Sequence, residues 1–156
     1  VMKGNVEIVA KLNELLTSEL TAIDIYFVQS RILQKMGYSQ LFAQLDHEMN
    51  DEQAHATKVL ERIIFLEGTP AVHERHEFKI TKSVKEMFEQ DLAYEHKNKA
   101  VLIELIDLCF KHKDYGTKEL VEPLLIDTEE DHIDYLETQL SIIEDIGEDK
   151  YLAEKL

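Results

Sequence analysis

Two short stretches decide how this chain folds: Glu52-Gln53-Ala54-His55 and Glu129-Glu130-Asp131-His132. Each stretch places a carboxylate three residues before an imidazole, and on a helix this step brings both side chains to one face. Carboxylates and imidazoles are both common metal ligands. The two stretches therefore predict two helices, each of which presents a metal-binding pair on one side.

The composition favours a helical protein. Of the 156 residues, 44% are hydrophobic and 31% are charged, while Gly (5) and Pro (2) are scarce. Few glycines and prolines favour long helices over a turn-rich β fold. Because the length suits one domain with a sizeable core, we expect a single domain over residues 1–156.

The charge balance excludes some classes of partner. A net charge of -15 argues against binding to nucleic-acid phosphates and favours cations as partners. No apolar run approaches the length of about 18 residues that a membrane span needs. The N-terminal residues 1–5 contain no apolar signal-peptide core. We therefore expect a cytoplasmic protein that binds neither nucleic acid nor a membrane.

Four segments carry apolar residues at steps of three and four, which is the pattern of amphipathic helices. The first runs from Asn5 to Gly37, and the second begins at the N-cap residue Ser39 and stops before Pro70. The third begins at a capping box formed by Ser83 and Glu86. The fourth lies between residues 117 and 147, and residues 148–156 suffice for a short fifth helix.

The chain between the second and third helices predicts the topology. Residues 67–82 show no helical period, and a loop of this length suits a crossover between two parallel helices. We therefore predict an all-α, antiparallel four-helix bundle with a long crossover between helices 2 and 3. Pro123 lies inside the fourth helix, where we expect it to cause a kink or to delay the start of the helix.

Each predicted helix interrupts its apolar stripe with potential metal ligands. These are Glu19 in the first helix, Glu52 and His55 in the second, Glu95 in the third, and Glu129 and His132 in the fourth. Four carboxylates buried together would repel one another and lose their hydration, at a cost on the order of several kcal/mol per ion, so unless most of them are protonated a cation must share the site. Two divalent metal ions would balance the four charges. Oxygen and nitrogen ligands suit iron, manganese or zinc.

This set of ligands resembles that of the di-iron and di-manganese carboxylate bundles of the ferritin-like superfamily. Other stretches are similar to the bacterioferritins: Met2-Lys3-Gly4, Leu12-Asn13-Glu14-Leu15-Leu16, Glu19-Leu20, Glu61-Arg62-Ile63, Leu66-Glu67-Gly68 and residues 129–137. The resemblance covers essentially the whole chain. It implies a ferroxidase that oxidises iron(II) at a di-iron centre inside each subunit and stores the ferric mineral in a shell of twenty-four subunits.

The resemblance also implies roles for individual residues. It implies that all six residues that interrupt the apolar stripes are iron ligands, with Glu52 and Glu129 as bridges. Tyr26 lies on the same stripe as Glu19, and we expect it to bond a ligating carboxylate and to supply an electron. The resemblance suggests a further iron site on the inner wall at His47 and Asp51, whose alternative is a solvated acidic helix face. It implies a small ferredoxin as the electron donor for iron release.

One position departs from the family pattern. The family has a methionine directly after the glutamate of the second-helix motif, and two such methionines clamp a haem across the subunit dyad. This chain has Gln53 there, and an amide is a poor substitute for a thioether on haem iron. We expect little or no haem b in a shell made only of this chain. A mixed shell with a methionine-bearing, haem-binding subunit stays open.

Three other functions remain as alternatives. The first is a ferritin-like di-metal oxidase without a storage role, and the second is a metal-free structural subunit. The third, a DNA-protecting mini-ferritin, is disfavoured because its metal site lies between subunits, whereas one chain here supplies all six ligands. This chain also has no basic tail. The particle mass would separate these alternatives.

Overall fold

A computed structural model of the protein describes residues 3–156. Val1 and Met2 lie outside the described residues. They belong to residues 1–5, in which the sequence shows no signal-peptide core. The long helices are α1 (Val6–Met36), α2 (Ser39–Phe65), α3 (Val84–Lys111) and α4 (Tyr115–Asp127), which continues through a π-helical segment (Thr128–Ile133) into α5 (Asp134–Ile146). A short helix α6 (Glu148–Ala153) follows. None of the described helices is both long and apolar enough to cross a membrane.

Local signals in the sequence explain most of the helix ends. The Asn5 side chain accepts hydrogen bonds from two backbone N–H groups of the first turn of α1, and Gly37, with φ of 90°, ends that helix as predicted. Ser83 caps α3 through the N–H of Glu86, also as predicted. The N-cap prediction for α2 is wrong, because Ser39 is already the first helical residue and Tyr38 precedes it without a side-chain cap.

Contacts between helices define an antiparallel four-helix bundle. Only Gly37 and Tyr38 separate α1 from α2, so these two helices run in opposite directions. Along α1 and α3 the contacting residue numbers rise on one helix and fall on the other, from Glu19 with Asn98 to Gln29 with Asp91. Because α3 is antiparallel to α1, it is parallel to α2. The predicted crossover between two parallel helices is confirmed.

Two apolar clusters fill the two ends of the bundle. The first contains Leu12, Leu16, Val59, Ile63, Leu105 and Leu124, and the second contains Leu33, Leu41, Leu45, Phe88, Leu136 and Tyr151. Tyr151 brings α6 against the second end, where its hydroxyl donates to Gln139 at 2.6 Å. Between the clusters, every long helix contributes buried polar side chains. The bundle therefore holds a polar layer between two apolar halves.

The fourth helix departs from regular geometry at a position that the sequence did not predict. The expected late start at Pro123 is wrong, since α4 begins at Tyr115 and continues through the proline to Asp127. The irregularity lies instead at Thr128–Ile133, where the Asp134 N–H bonds the carbonyl of Glu129, five residues earlier. This wide turn coincides with the second Glu-x-x-His stretch.

Candidate metal centre

Two groups of potential ligands meet in the polar layer, and they share Glu52. One group is Glu19, Glu52 and His55, the other is Glu52, Glu95 and His132, and within each group the ligand atoms lie within 4.8 Å of one another. Oε2 of Glu52 lies 3.8 Å from Nδ1 of His55, and Oε1 lies 2.9 Å from Nδ1 of His132. One carboxylate shared by two such groups could contribute an oxygen to each of two metal ions.

The atoms that face the centre form no contact with the geometry of a hydrogen bond, even where Glu52 and His132 approach to 2.9 Å. They are Oε2 of Glu19, both carboxylate oxygens of Glu52, Nδ1 of His55, Oε2 of Glu95 and Nδ1 of His132. Buried polar atoms are nearly always satisfied in a folded protein, so a cluster of unsatisfied ones requires an explanation. A pair of cations would satisfy all of them at once.

The two imidazoles are oriented in the same way. Each directs Nδ1 towards the centre and Nε2 towards a carboxylate outside it: Asp127 lies 3.0 Å from His55, and Glu48 lies 2.8 Å from His132. The rings are nearly parallel, with centroids 6.0 Å apart. The contact between His55 and Asp127 is a hydrogen bond of the kind that generally orients metal-binding histidines, whereas the contact between His132 and Glu48 is an ion pair without hydrogen-bond geometry.

The centre attracts positive charge. Burial opposes the charge on Glu52, but the two imidazoles lower the pKa of this carboxyl group. Burial and the charge of Glu52 raise the pKa of Glu95. Burial also opposes a charged ring at His132 and at His55, yet adjacent carboxylates raise the pKa of both imidazoles: Glu48 and Glu52 at His132, and Glu52 and Asp127 at His55. A divalent cation would occupy a position where the protein already favours positive charge.

Tyr26 and Asn98 each hold one of the outer carboxylates. The Tyr26 hydroxyl donates to Oε1 of Glu95 at 2.7 Å, and the Asn98 amide donates to Oε1 of Glu19 at 3.1 Å. Burial and the charge of Glu95 raise the pKa of Tyr26 well above its usual value, so its phenol stays protonated. The contact expected between Tyr26 and a carboxylate of the centre is present.

The structure does not bring Glu129 to the centre. Its carboxylate is 44% exposed and lies 3.0 Å from Nζ of Lys99. In a regular α-helix, residues three apart lie about 60° apart around the axis. The wider π-helical turn increases this angle, so Glu129 faces outward while His132 faces inward.

The pair proposed for an inner-wall site lies on the surface of α2. Nε2 of His47 is 3.3 Å from Oδ2 of Asp51, and the His47 side chain is 67% exposed. Asp51 also lies in a third potential metal-binding group, with Glu48 and His132. This group adjoins the centre through the far side of the His132 ring.

Among the residues that contact the predicted ligands inside the centre, sequence reasoning missed Glu48, Asn98 and Asp127. Glu48 is buried, at 4% exposure, so the alternative of a solvated acidic helix face does not hold for this residue. Yet Glu48 lies one turn before Glu52, and Asn98 three residues after Glu95, so both belong to faces already recognised as polar. Asp127 gave no periodic signal, because its contact with His55 depends on how α2 and α4 meet.

Comparison with known proteins agrees with this geometry. The ferritin-like domain family matches residues 9–146 of the chain. A bacterial ferritin from Synechocystis is 43% identical over 155 residues, which cover 99% of either chain. A bacterial ferritin from Pseudomonas aeruginosa is 41% identical and covers 99% of this chain and 100% of its own, and a bacterioferritin from Brucella melitensis is 40% identical, at 96% and 92%. The chain therefore belongs to the ferritin-like domain family, beside the bacterial ferritins and bacterioferritins.

Proposed function

We propose that this protein stores iron and oxidises iron(II) to iron(III) at the centre between its four helices. The observation that carries the proposal is the pair of ligand groups that share Glu52, with their facing atoms unpartnered and buried. Its relatives are named bacterial ferritin and bacterioferritin, which supports iron as the metal. The oxygen and imidazole ligands are also those that iron accepts.

The ligands of the centre form two iron-binding positions. Glu19 and His55 hold one iron(II) ion, Glu95 and His132 hold the other, and Glu52 lies between them. An oxidant accepts one electron from each ion: with two protons from solvent, the pair of electrons reduces dioxygen to hydrogen peroxide, or hydrogen peroxide to two molecules of water. Tyr26 fixes Glu95 through its hydroxyl and, as a nearby phenol, is the candidate source of a further electron. Apolar clusters on both sides of the layer exclude bulk water from the centre.

Iron oxidation by purified protein tests this proposal. The metal-free protein is loaded anaerobically with two iron(II) ions per chain and mixed with dioxygen, and the absorbance of the ferric product is followed. We expect a rapid phase that Glu19→Ala or Glu95→Ala slows at least about tenfold, because each removes a ligand. Glu61→Ala, on the exposed side of α2, serves as the matched control. Unchanged oxidation in both ligand variants would refute the assignment.

We further propose that Glu129 turns inward when the second ion binds. Three carboxylates only partly balance two divalent ions, so a fourth is favoured. The contact between Glu129 and Lys99 is partly exposed and therefore weak, so little is lost when it breaks. The π-helical turn gives the backbone near Glu129 an alternative hydrogen-bonding pattern to adopt.

A variant pair tests the movement of Glu129. Glu129→Gln should weaken binding of the second metal ion about tenfold or more, measured by anaerobic calorimetry with iron(II), because the fourth negative ligand is lost. Lys99→Met removes the outer partner of Glu129 and should leave the affinity equal or higher. Equal affinity in the Glu129→Gln variant would exclude Glu129 from the centre.

Storage requires an assembled shell, which we propose contains twenty-four copies of the chain. Large apolar side chains on the surface of the isolated chain support assembly: Phe27, Ile64, Phe65, Ile80, Phe110 and Ile126 are all at least half exposed. Sedimentation of the purified protein should give a particle of twenty-four times the chain mass. A dimer would instead favour a di-metal oxidase without storage. We also propose that a small ferredoxin supplies the electrons for iron release.

The surface near Gln53 is relevant to haem binding. A groove of about 350 Å³ lies between α1 and α2, and its lining is mostly apolar: Leu16, Leu20, Ile23, Gln53, Ala56, Thr57, Leu60 and Val72. An apolar groove suits a porphyrin face, but Gln53 offers only an amide where the haem iron would need a ligand. We propose that a shell of this chain alone carries little or no haem. A mixed shell would acquire haem through a second, methionine-bearing subunit.

A further inference from the structure

Three buried hydrogen bonds join α1 to α3 across the polar layer. In each bond an uncharged donor faces a carboxyl group: Asn98 donates to Glu19 at 3.1 Å, Tyr26 to Glu95 at 2.7 Å and Gln29 to Asp91 at 2.7 Å. Two of the three carboxyl groups belong to the proposed centre. The third, Asp91, lies outside both ligand groups.

Asn98 occupies an unusual position for an amide. Its side chain is 2% exposed, and Leu102, four residues further along the same helix face, is fully buried in the first apolar cluster. A buried amide costs free energy unless its polar atoms are satisfied. Here the amide nitrogen bonds Glu19, while Oδ1 has no partner. An apolar residue would fill this space at lower cost, so the donated hydrogen bond is the feature that Asn98 contributes.

The contact sets how Glu19 faces the centre. Asn98 binds Oε1 of Glu19, and Oε2 is left without a partner, 3.8 Å from Nδ1 of His55. Tyr26 holds Glu95 in the same way, because its hydroxyl donates to Oε1 and Oε2 is left unpartnered. Each outer carboxylate is thus held through one oxygen by a donor from the opposite helix. The other oxygen remains available.

From this correspondence we infer that Asn98 is a positioning residue for the Glu19 half of the centre. By holding Oε1, it leaves Oε2 as the single oxygen that Glu19 offers to a metal ion. It also prevents the carboxylate from rotating away from His55. The inference rests on the proposed function, because it concerns how tightly one of the two proposed positions binds its ion.

Cobalt(II) provides a readout that does not depend on oxidation. The protein is titrated anaerobically with cobalt(II), and the visible absorption of the bound ion gives the number and the affinity of the sites. Asn98→Leu keeps the branched shape of the side chain and removes the donor, and Asn98→Asp replaces the donor with an acceptor that repels Glu19. Both variants should weaken one of two cobalt sites about 10- to 100-fold, the range for loss of a residue that orients a ligand. The other site should keep its affinity.

Gln29→Leu is the matched control. It removes a buried amide from the same set of contacts between α1 and α3, but its partner is Asp91 and not a proposed ligand. It should lower thermal stability as the Asn98 variants do, yet keep both cobalt sites. A folded Asn98→Leu or Asn98→Asp variant that binds two cobalt ions as tightly as the unaltered protein would overturn the inference. If the unaltered protein itself bound no pair of cobalt ions, the proposed function would fail instead.

Discussion

Replacing Glu52 by glutamine should abolish rapid iron(II) oxidation, with a loss of at least about 100-fold in rate, since even residues that only orient a ligand cost 10- to 100-fold when removed. Glu52 is the only residue that belongs to both ligand groups of the centre. Its two oxygens face the two imidazoles, so one substitution weakens both metal positions. Glutamine has nearly the same shape, which isolates the loss of charge and of one ligand oxygen from a change of volume. Stopped-flow absorbance of the ferric product measures the rate.

Thermal stability in the presence of metal separates this explanation from misfolding. A ligand that binds only the folded state raises the melting temperature, and at a given ligand concentration it does so more the tighter it binds. Zinc(II) should therefore stabilise the unaltered protein strongly and the Glu52→Gln variant only slightly. Glu61→Gln, a substitution on the exposed face of the same helix, should behave as the unaltered protein does. Equal stabilisation of the Glu52→Gln variant by zinc would show that Glu52 does not join the two positions.

Replacing Gln53 by methionine should convert a particle with little or no haem into one that binds up to one haem for every two chains. The substitution places a thioether at the exposed edge of an apolar groove that otherwise offers haem iron only an amide. Thioether sulfur is an established axial ligand of haem iron. After addition of haem and removal of the excess, a Soret absorption band should appear in the variant.

Two comparisons make this prediction specific. Gln53→Leu has a similar size and no sulfur, so it should remain without a Soret band. A strong Soret band in the unaltered protein, purified without a second type of subunit, would contradict the proposed absence of haem. A Gln53→Met particle that fails to bind haem would show instead that the groove between α1 and α2 is not a haem site.

The sequence predicted the fold because its signals are local. The stops and caps at Gly37 and Ser83 depend on the backbone of a few neighbouring residues, and the crossover followed from a long segment without helical period. Its failures were local as well. Ser39 has the chemistry of a cap but lies one residue inside the helix. Pro123 was expected to kink α4 or to delay its start, yet the helix already begins at Tyr115.

The meeting of Glu19, Glu52, His55, Glu95 and His132 also followed from the sequence, for a simple physical reason. Each of these residues lies on an otherwise apolar stripe, and stripes face inward in a bundle. Residues three or four apart on one helix share a face whatever the neighbouring helices do. Five of the six predicted ligands therefore meet in the polar layer. The negative charge they bring together favours a cation at the site.

Only the tertiary structure decided how these ligands are held and which further residues join them. Glu129 and His132 share a face in a regular helix, but the π-helical turn separates them and leaves Glu129 beside Lys99. Glu48 contacts His132 across two helices. The donors that orient Glu19 and Glu95 likewise come from the opposite helix, at a separation of 79 residues in one case and 69 in the other. Helical periodicity does not predict such contacts. It tells which face of one helix a residue lies on, but not which residue of the next helix that face meets.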